Sequence, residues 1–269
     1  MFKIPSFKSK KKPTPKAEAT LPNEMDAIEG VSESGEPEIA YAIGDVHGCY
    51  DKLIELLGLI EADCTKFPDM KKKIIFLGDL IDRGPKSAEI IEFLSTYNPE
   101  FADVVFLMGN HEEVFLKVLE GSQRSLAAWF EFGGRECVRS YGMINLSRIH
   151  SDPENLLAEI QIRVPEEHHK FISRFENYHI TGKYLCVHAG IRPKIPLKKQ
   201  TSKDMRWIRE KFLSYEKPHP YVVVHGHTVS AEPEILSNRI GIDTGAHKNG
   251  PLTAVRLSGD YISILQTTS

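Results

Sequence analysis

The sequence predicts an α/β protein, and three observations predict it. Short apolar runs end in glycine-bearing turns, at Ile39–Ile43 before Gly44, Lys73–Leu77 before Gly78 and Val104–Met108 before Gly109. Stretches of helical periodicity separate these runs. After residue 180, strand-like runs dominate. Strands alternating with helices indicate βαβ units and a partly parallel sheet.

Residues 1–38 stand apart from the rest. Lys3, Lys8, Lys10, Lys11, Lys12 and Lys16 come first, followed by Glu18, Glu24, Asp26, Glu29, Glu33, Glu36 and Glu38, with five of the chain's 16 prolines among them. So little apolar surface cannot offset the entropy of ordering, and the segment reads as a disordered tail. From Ile39 onward, Tyr50–Ile60 carries Leu53, Leu56, Leu57 and Ile60 at helical spacing, and Ser87–Tyr97 places Ile90, Ile91 and Leu94 on one face. Residues 112–180 read as mostly helical, an insertion broken at Gly133-Gly134 and Asp152-Pro153. Strands are expected at Tyr184–Val187, Tyr221–Val224, Arg239–Ile242, Leu252–Leu257 and Tyr261–Leu265. Residues 39–269 therefore read as one domain, within the usual size range.

Composition narrows the function. Thirty-four basic against 37 acidic residues give a net charge of −3, which argues against a general nucleic-acid binder. No apolar run approaches the ~18 residues of a membrane span. The basic start lacks an apolar stretch after it, so it does not read as a secretory signal. Cys49, Cys64, Cys137 and Cys186 show no paired spacing, and the expectation is reduced thiols in a cytoplasmic protein.

The chemistry lies in the turns after the strands. Gly44-Asp45-Val46-His47-Gly48 follows the first, Gly78-Asp79-Leu80-Ile81-Asp82-Arg83-Gly84 the second and Gly109-Asn110-His111-Glu112 the third. Later runs end in His188-Ala189-Gly190 and His225-Gly226-His227-Thr228. Open α/β sheets bind ligands outside the carboxyl ends of their strands, so these turns can converge on one crevice. Carboxylates, an amide and imidazoles without cysteine suit Mn²⁺, Fe or Zn²⁺ rather than a thiolate-selecting metal. A carboxylate can bridge two ions, and such a pair can hold a phosphoryl group and activate water. One such histidine alone is usually structural; five glycine-flanked polar turns point to a dinuclear site.

In this order GDVHG, GDLIDRG, GNHE, HAG and HGHT resemble the phosphoprotein phosphatase family of calcineurin-like metallophosphoesterases, from about Ile39 to about Leu265. Trp129 with Gly133-Gly134, Ser140-Tyr141-Gly142, Trp207-Ile208-Arg209 and Ile242-Asp243-Thr244-Gly245 resemble its bacterial and phage branch. The resemblance implies a four-layer αββα sandwich with a helical insertion. It also implies two divalent ions, usually manganese-like, and direct hydrolysis of a phosphomonoester. Residue by residue, it assigns Asp45 and His47 to the first metal, Asp79 to both, and Asn110, His188 and His227 to the second. His111 matches the general acid and Asp82 the carboxylate that orients it. Arg83 matches a phosphate-gripping arginine, and Arg209 is the candidate for a second, with Arg192 and Arg206 nearby. His225 receives no role, and Asp243 is expected to be structural.

The activity so implied is that of a serine/threonine, or dual-specificity, protein phosphatase acting on a phosphoprotein or a small phosphomonoester. A dinucleoside tetraphosphatase is the nearest alternative. Asp82, where that branch is understood to carry alanine, and Glu112, where it carries aspartate, favour the phosphomonoesterase. A non-catalytic scaffold of the same fold is a third reading, opposed by the presence of all six ligand-type residues.

Overall fold

Along Glu38–Ile43 (β1) every residue is buried, because the two faces of the strand meet different layers. Ile39, Tyr41 and Ile43 pack among helices, whereas Ala40 and Ala42 face a second sheet. The computed structural model describes residues 38–268. The proposed tail lies outside the described residues except for Glu38, which belongs to β1 and pairs with Lys71.

After β1 come α1 (Tyr50–Cys64), β2 (Lys71–Phe76), α2 (Ser87–Thr96) and β3 (Asp103–Phe106). Leu53, Leu56, Leu57 and Ile60 of α1 and Ile90, Ile91 and Leu94 of α2 are buried, which is why those periodic positions are apolar. Truncating Leu56 to alanine would cost about 2–5 kcal/mol. Strands β1, β2 and β3 are parallel, so the helices between them cross one face of the sheet. The insertion comprises α3 (Asn110–Leu119), α4 (Gln123–Glu131), α5 (Gly134–Ser140), α6 (Pro153–Arg163) and α7 (Glu166–Ile172). Its breaks fall as expected: Gly133 has a φ of 123° that favours glycine, and Pro153 opens α6.

The second half supplies β4 (Tyr178–Thr181), β5 (Tyr184–Val187), α8 (Ser202–Trp207), α9 (Glu210–Leu213), β6 (Val222–His225), β7 (Glu234–Ile235), β8 (Arg239–Gly241), β9 (Thr253–Ser258) and β10 (Tyr261–Gln266). Strand order is β10-β9-β1-β2-β3 in one sheet and β4-β5-β6-β8-β7 in the other. Ala40, Ala42, Ile75 and Leu77 meet Cys186, Val224, Ile240 and Ile242 between the sheets. Leu185, Val187 and Val223 turn outward against Met205, Ile208 and Phe212 near α8 and α9. The result is the four-layer αββα sandwich.

The helical reading of 112–180 is corrected at its end. Tyr178–Thr181 is a strand, joined to β5 through Gly182-Lys183, with Gly182 at a φ of 53°. The two-residue hairpin turn is the local signal that marks it. Strand β7 has two residues, too short for an alternation to show. No helix among the described residues is long and apolar enough to cross a membrane.

Candidate metal centre and active site

The carboxyl ends of β1, β2, β5 and β6, with the N-terminus of α3, meet at one buried place. The turns there are tied to one another: Val46 and His47 donate their N–H groups to Asp79 O, and Gly84 donates to His47 O. Five non-glycine residues of these turns have positive φ: His47 (44°), Asp79 (51°), Asp82 (74°), Arg83 (65°) and His227 (64°). Such backbone costs of order 1 kcal/mol or more per residue and persists where surrounding contacts over-determine it. The strain is concentrated where the candidate ligands are.

Asp45, His47, Asp79, Asn110, His188 and His227 are all buried and brought together. Asp79 sits centrally: its Oδ2 is 3.5 Å from His47 Nε2, and its Oδ1 is 3.4 Å from His188 Nε2. His47 Nε2 is also 3.8 Å from Asp45 Oδ2. His188 Nε2 lies 2.9 Å from Asn110 Oδ1 and 3.2 Å from His227 Nδ1. Potential donor atoms thus gather in two groups that share Asp79, one with His47 and His111, the other with His188 and His227.

These residues fit divalent metal. His47 donates Nδ1–H to Ile81 O and His188 donates Nδ1–H to Leu77 O, so each neutral ring turns an unprotonated Nε2 inward. His47 Nε2 and His227 Nε2 are buried without a hydrogen-bond partner. His188 Nε2 faces the Asn110 carbonyl oxygen, two lone-pair atoms that a shared cation reconciles. Burial, then the charges of Asp243 and Asp79, push the Asp45 carboxyl well above its usual range. Burial also raises Asp79, but His188, His111, His47 and His227 pull it far below the carboxylate range. Burial holds His47 well below the usual histidine value.

Beside the centre, His111 Nδ1 donates to Asp82 Oδ2 at 2.6 Å, and Trp129 Nε1 donates to the same oxygen at 2.6 Å. Arg83 donates to His111 Nε2 at 3.0 Å. Arg209 donates to His227 O and to Thr228 Oγ1. Its neighbours are engaged elsewhere: Arg192 grips Asp204 with two nitrogens, and Arg206 reaches Asn177 and Glu113. Of the three arginines, Arg209 is the one that lines a cavity of about 500 Å³ with Arg83, Phe132, His247 and Lys248. His225 packs its ring against Phe212 and hydrogen-bonds Gly226 O.

Three contributions escape a reading of the motifs. Glu112 is buried and accepts four backbone N–H groups, from Asp79, Leu80, Ile81 and Gly109, so it shapes the turn that carries the central carboxylate. Asp243 accepts from Gly245 N as a structural residue does, yet its Oδ2 is buried without a partner and its charge bears on Asp45. His247 lies with its ring centroid 5.0 Å from that of His47. Glu112 is visible in the sequence only as a letter in a motif, and nothing in the order of residues marks His247.

The chain resembles known proteins in the same terms. Over 235 residues it is 28% identical to the asymmetrical bis(5'-nucleosyl)-tetraphosphatase PrpE of Bacillus velezensis, covering 80% of this chain and 87% of that one. A crystal structure of a candidate diadenosine tetraphosphatase superposes with a TM-score of 0.58 at 18% identity, over 86% of this chain and 98% of the other. A point mutant of a cold-active protein tyrosine phosphatase gives 0.54 at 17%, over 86% of this chain and 80% of the other. Calcineurin-like phosphoesterases as a family match residues 40–261, which take in every one of the metal-type turns. With that match spanning most of its length, the chain belongs to the calcineurin-like phosphoesterase family.

Proposed function

We propose that the chain is a divalent-metal-dependent hydrolase of dinucleoside tetraphosphates. The observation that carries this reading is the cationic lining of the cavity of about 500 Å³ beside the centre, where Arg83, Arg209 and Lys248 come together. Among the described residues, neither Arg83 nor Arg209 makes an ion pair with a carboxylate there. Unpaired guanidinium groups facing a roomy cavity suit a chain of phosphates. Similarity to named tetraphosphatases supports the same order of preference, and reverses the one drawn from Asp82 and Glu112 alone.

In this reading Asp45, His47 and Asp79 would hold one ion, and Asp79, Asn110, His188 and His227 would hold another, with Mn²⁺, Fe or Zn²⁺ suited to the donors. Two such ions, when bound, would supply Lewis acidity and lower the pKa of a bound water towards neutral. Arg83 and Arg209 grip the non-bridging oxygens and balance their charge. Engaging a phosphate draws Arg83 from His111 Nε2, which is then free to carry a proton to the leaving oxygen. Asp82 fixes the ring so that Nε2 faces that oxygen.

One observation favours a second reading. The His111–Asp82 pair serves a leaving group that needs a proton, and a serine alkoxide needs it far more than a nucleotide does. The metal-loaded protein should be assayed on diadenosine tetraphosphate, a phosphoserine peptide and p-nitrophenyl phosphate. The expected result is a kcat/KM on the tetraphosphate at least about tenfold above that on the peptide. A higher value on the peptide overturns the proposal in favour of a protein phosphatase.

A further inference from the structure

His247 and Lys248 of the turn 245–250 line the cavity together with Arg83 and Arg209, and the turn is held by several hydrogen bonds. Gly245 and Asn249 bracket it in left-handed conformation, with φ of 71° and 69°. Lys52 reaches across from α1 and donates to Ala246 O at 3.1 Å and to Gly250 O at 2.6 Å. Gly245 N donates to Asp243 Oδ1, and Gly245 O accepts from both Lys248 N and Gly250 N. A side chain at Gly250 would place its Cβ 2.0 Å from Thr244 O, so the closure depends on glycine.

This framework presents two polar side chains to the cavity. His247 has a buried Nδ1 with no hydrogen-bond partner, and its ring stands edge-on to His47. Lys248 is exposed and, among the described residues, makes no ion pair with a carboxylate. An imidazole in ring contact with a metal-type histidine, followed directly by an unpaired ammonium, suits an anion bonded to the group at the centre.

We infer that the turn 245–250 is a second phosphate subsite, in which His247 and Lys248 hold the phosphate next to the one being hydrolysed. The inference deepens the tetraphosphatase reading and rests on it for the identity of the substrate. It sets the substrate class as a phosphoanhydride with at least two linked phosphates, and it makes the turn the element that prefers such chains to a phosphomonoester.

The test measures binding of orthophosphate and of methylenediphosphonate to the metal-loaded protein by calorimetry, with metal in excess of the probe. The wild type should bind the linked pair about tenfold more tightly or better, as an added charge-assisted contact provides. Lys248→Ala and His247→Ala should bring the two affinities towards equality, and Lys248→Arg should largely restore the preference. Lys248 is exposed, so its alanine variant does not put folding in question. Metal analysis of His247→Ala separates loss of the subsite from loss of an ion beside His47. A wild type without preference, or variants that keep it at full metal content, overturns the inference. Failure of the wild type to cleave diadenosine tetraphosphate would instead count against the proposed function, and the ratio of affinities would still judge the turn.

Discussion

His111 Nδ1 and Asp82 Oδ2 stand 2.6 Å apart, both buried, and the Trp129 indole holds the same carboxylate oxygen from the other side. Trp129 lies on α4 of the helical insertion, and the Gly133 carbonyl beyond it accepts from Arg83 N, so the insertion reaches the site past α3 as well. The other carboxylate oxygen, Oδ1, is buried without a partner. Asp82 thus gives one oxygen to both His111 and Trp129, which suits positioning the imidazole.

If His111 supplies a proton, its importance scales with how much the leaving oxygen needs one. His111→Asn should keep both metals and cut phosphoserine-peptide hydrolysis by about 10²–10⁴-fold. Diadenosine tetraphosphate and p-nitrophenyl phosphate should lose less, since their leaving groups depart readily as anions. Equal losses on all three substrates, together with depleted metal, would mean that the ring only supports the neighbouring Asn110.

Burial lowers the His111 pKa, but Asp79 and Asp82 outweigh it, so the group lies above its ordinary 6.5. The protonated form is therefore present below that folded value and disappears as pH rises through it. An NMR titration of the His111 ring in chelator-treated protein should therefore show its charge lost only above about 6.5. Asp82→Asn removes one raising influence and should move the titration to lower pH. An unmoved titration would remove Asp82 as a cause of the shift.

Glu112 predicts a stability effect with a definite sign. Burial first, and then the Asp79 charge, raise its carboxyl from 4.5 to about 7. The folded state thus binds a proton more tightly than the unfolded one. That contribution is fully present below 4.5 and is lost as pH rises through about 7. Urea unfolding of chelator-treated protein should show stability declining across this window. Glu112→Gln should shallow the slope and lower stability by about 1–3 kcal/mol, because an amide cannot accept all four N–H groups. An unchanged slope would remove Glu112 from the account.

Much of this arrangement is legible in the sequence because glycines and strand periods mark it locally. Leu53, Leu56, Leu57 and Ile60 give α1 its buried face by spacing alone, and Ile39, Tyr41 and Ile43 do the same for one face of β1. Polar turns after apolar strands locate Asp45, Asp79, Asn110, His188 and His227, since strand ends must converge in such a sheet. What stays hidden depends on distance across the fold. Trp129 meets Asp82 from 47 residues away, and Lys52 props the 245–250 turn from 194 residues away. His247 joins the site only because β8 and β9 bring its turn back beside β1. Strand β4 escapes for a local reason, since only the hairpin turn at Gly182-Lys183 separates it from β5.

The sharing of Asp79 sets a further expectation. Its two oxygens face different histidines, His47 on one side and His188 on the other. Asp79→Asn should therefore lower occupancy at both positions, whereas His47→Ala should deplete one. Metal content by elemental analysis after chelation and reloading checks this. Full occupancy in Asp79→Asn would rule out a bridging role.

Gly226 offers a way to disturb the centre without replacing a ligand. A Cβ at this position would lie 2.0 Å from Asp45 Oδ1, the atom that accepts from His227 N at 3.1 Å. That hydrogen bond joins the turn after β1 to the turn after β6, one from each sheet. Gly226 does not have positive φ, so alanine there acts through the contact and not through backbone strain. Gly226→Ala should displace the Asp45 carboxylate and weaken metal binding about 10–100-fold, as loss of a ligand-orienting contact does. The melting temperature should fall modestly, because β1 and β6 keep their own ladders. Gly58 provides the control: it lies in α1, where an added Cβ would meet nothing within 4 Å, and alanine there should raise stability by about 0.5–1 kcal/mol. Calorimetric titration of both variants with Mn²⁺ decides the matter. Wild-type affinity in Gly226→Ala would show that the Asp45–His227 contact does not set the geometry of the first ion.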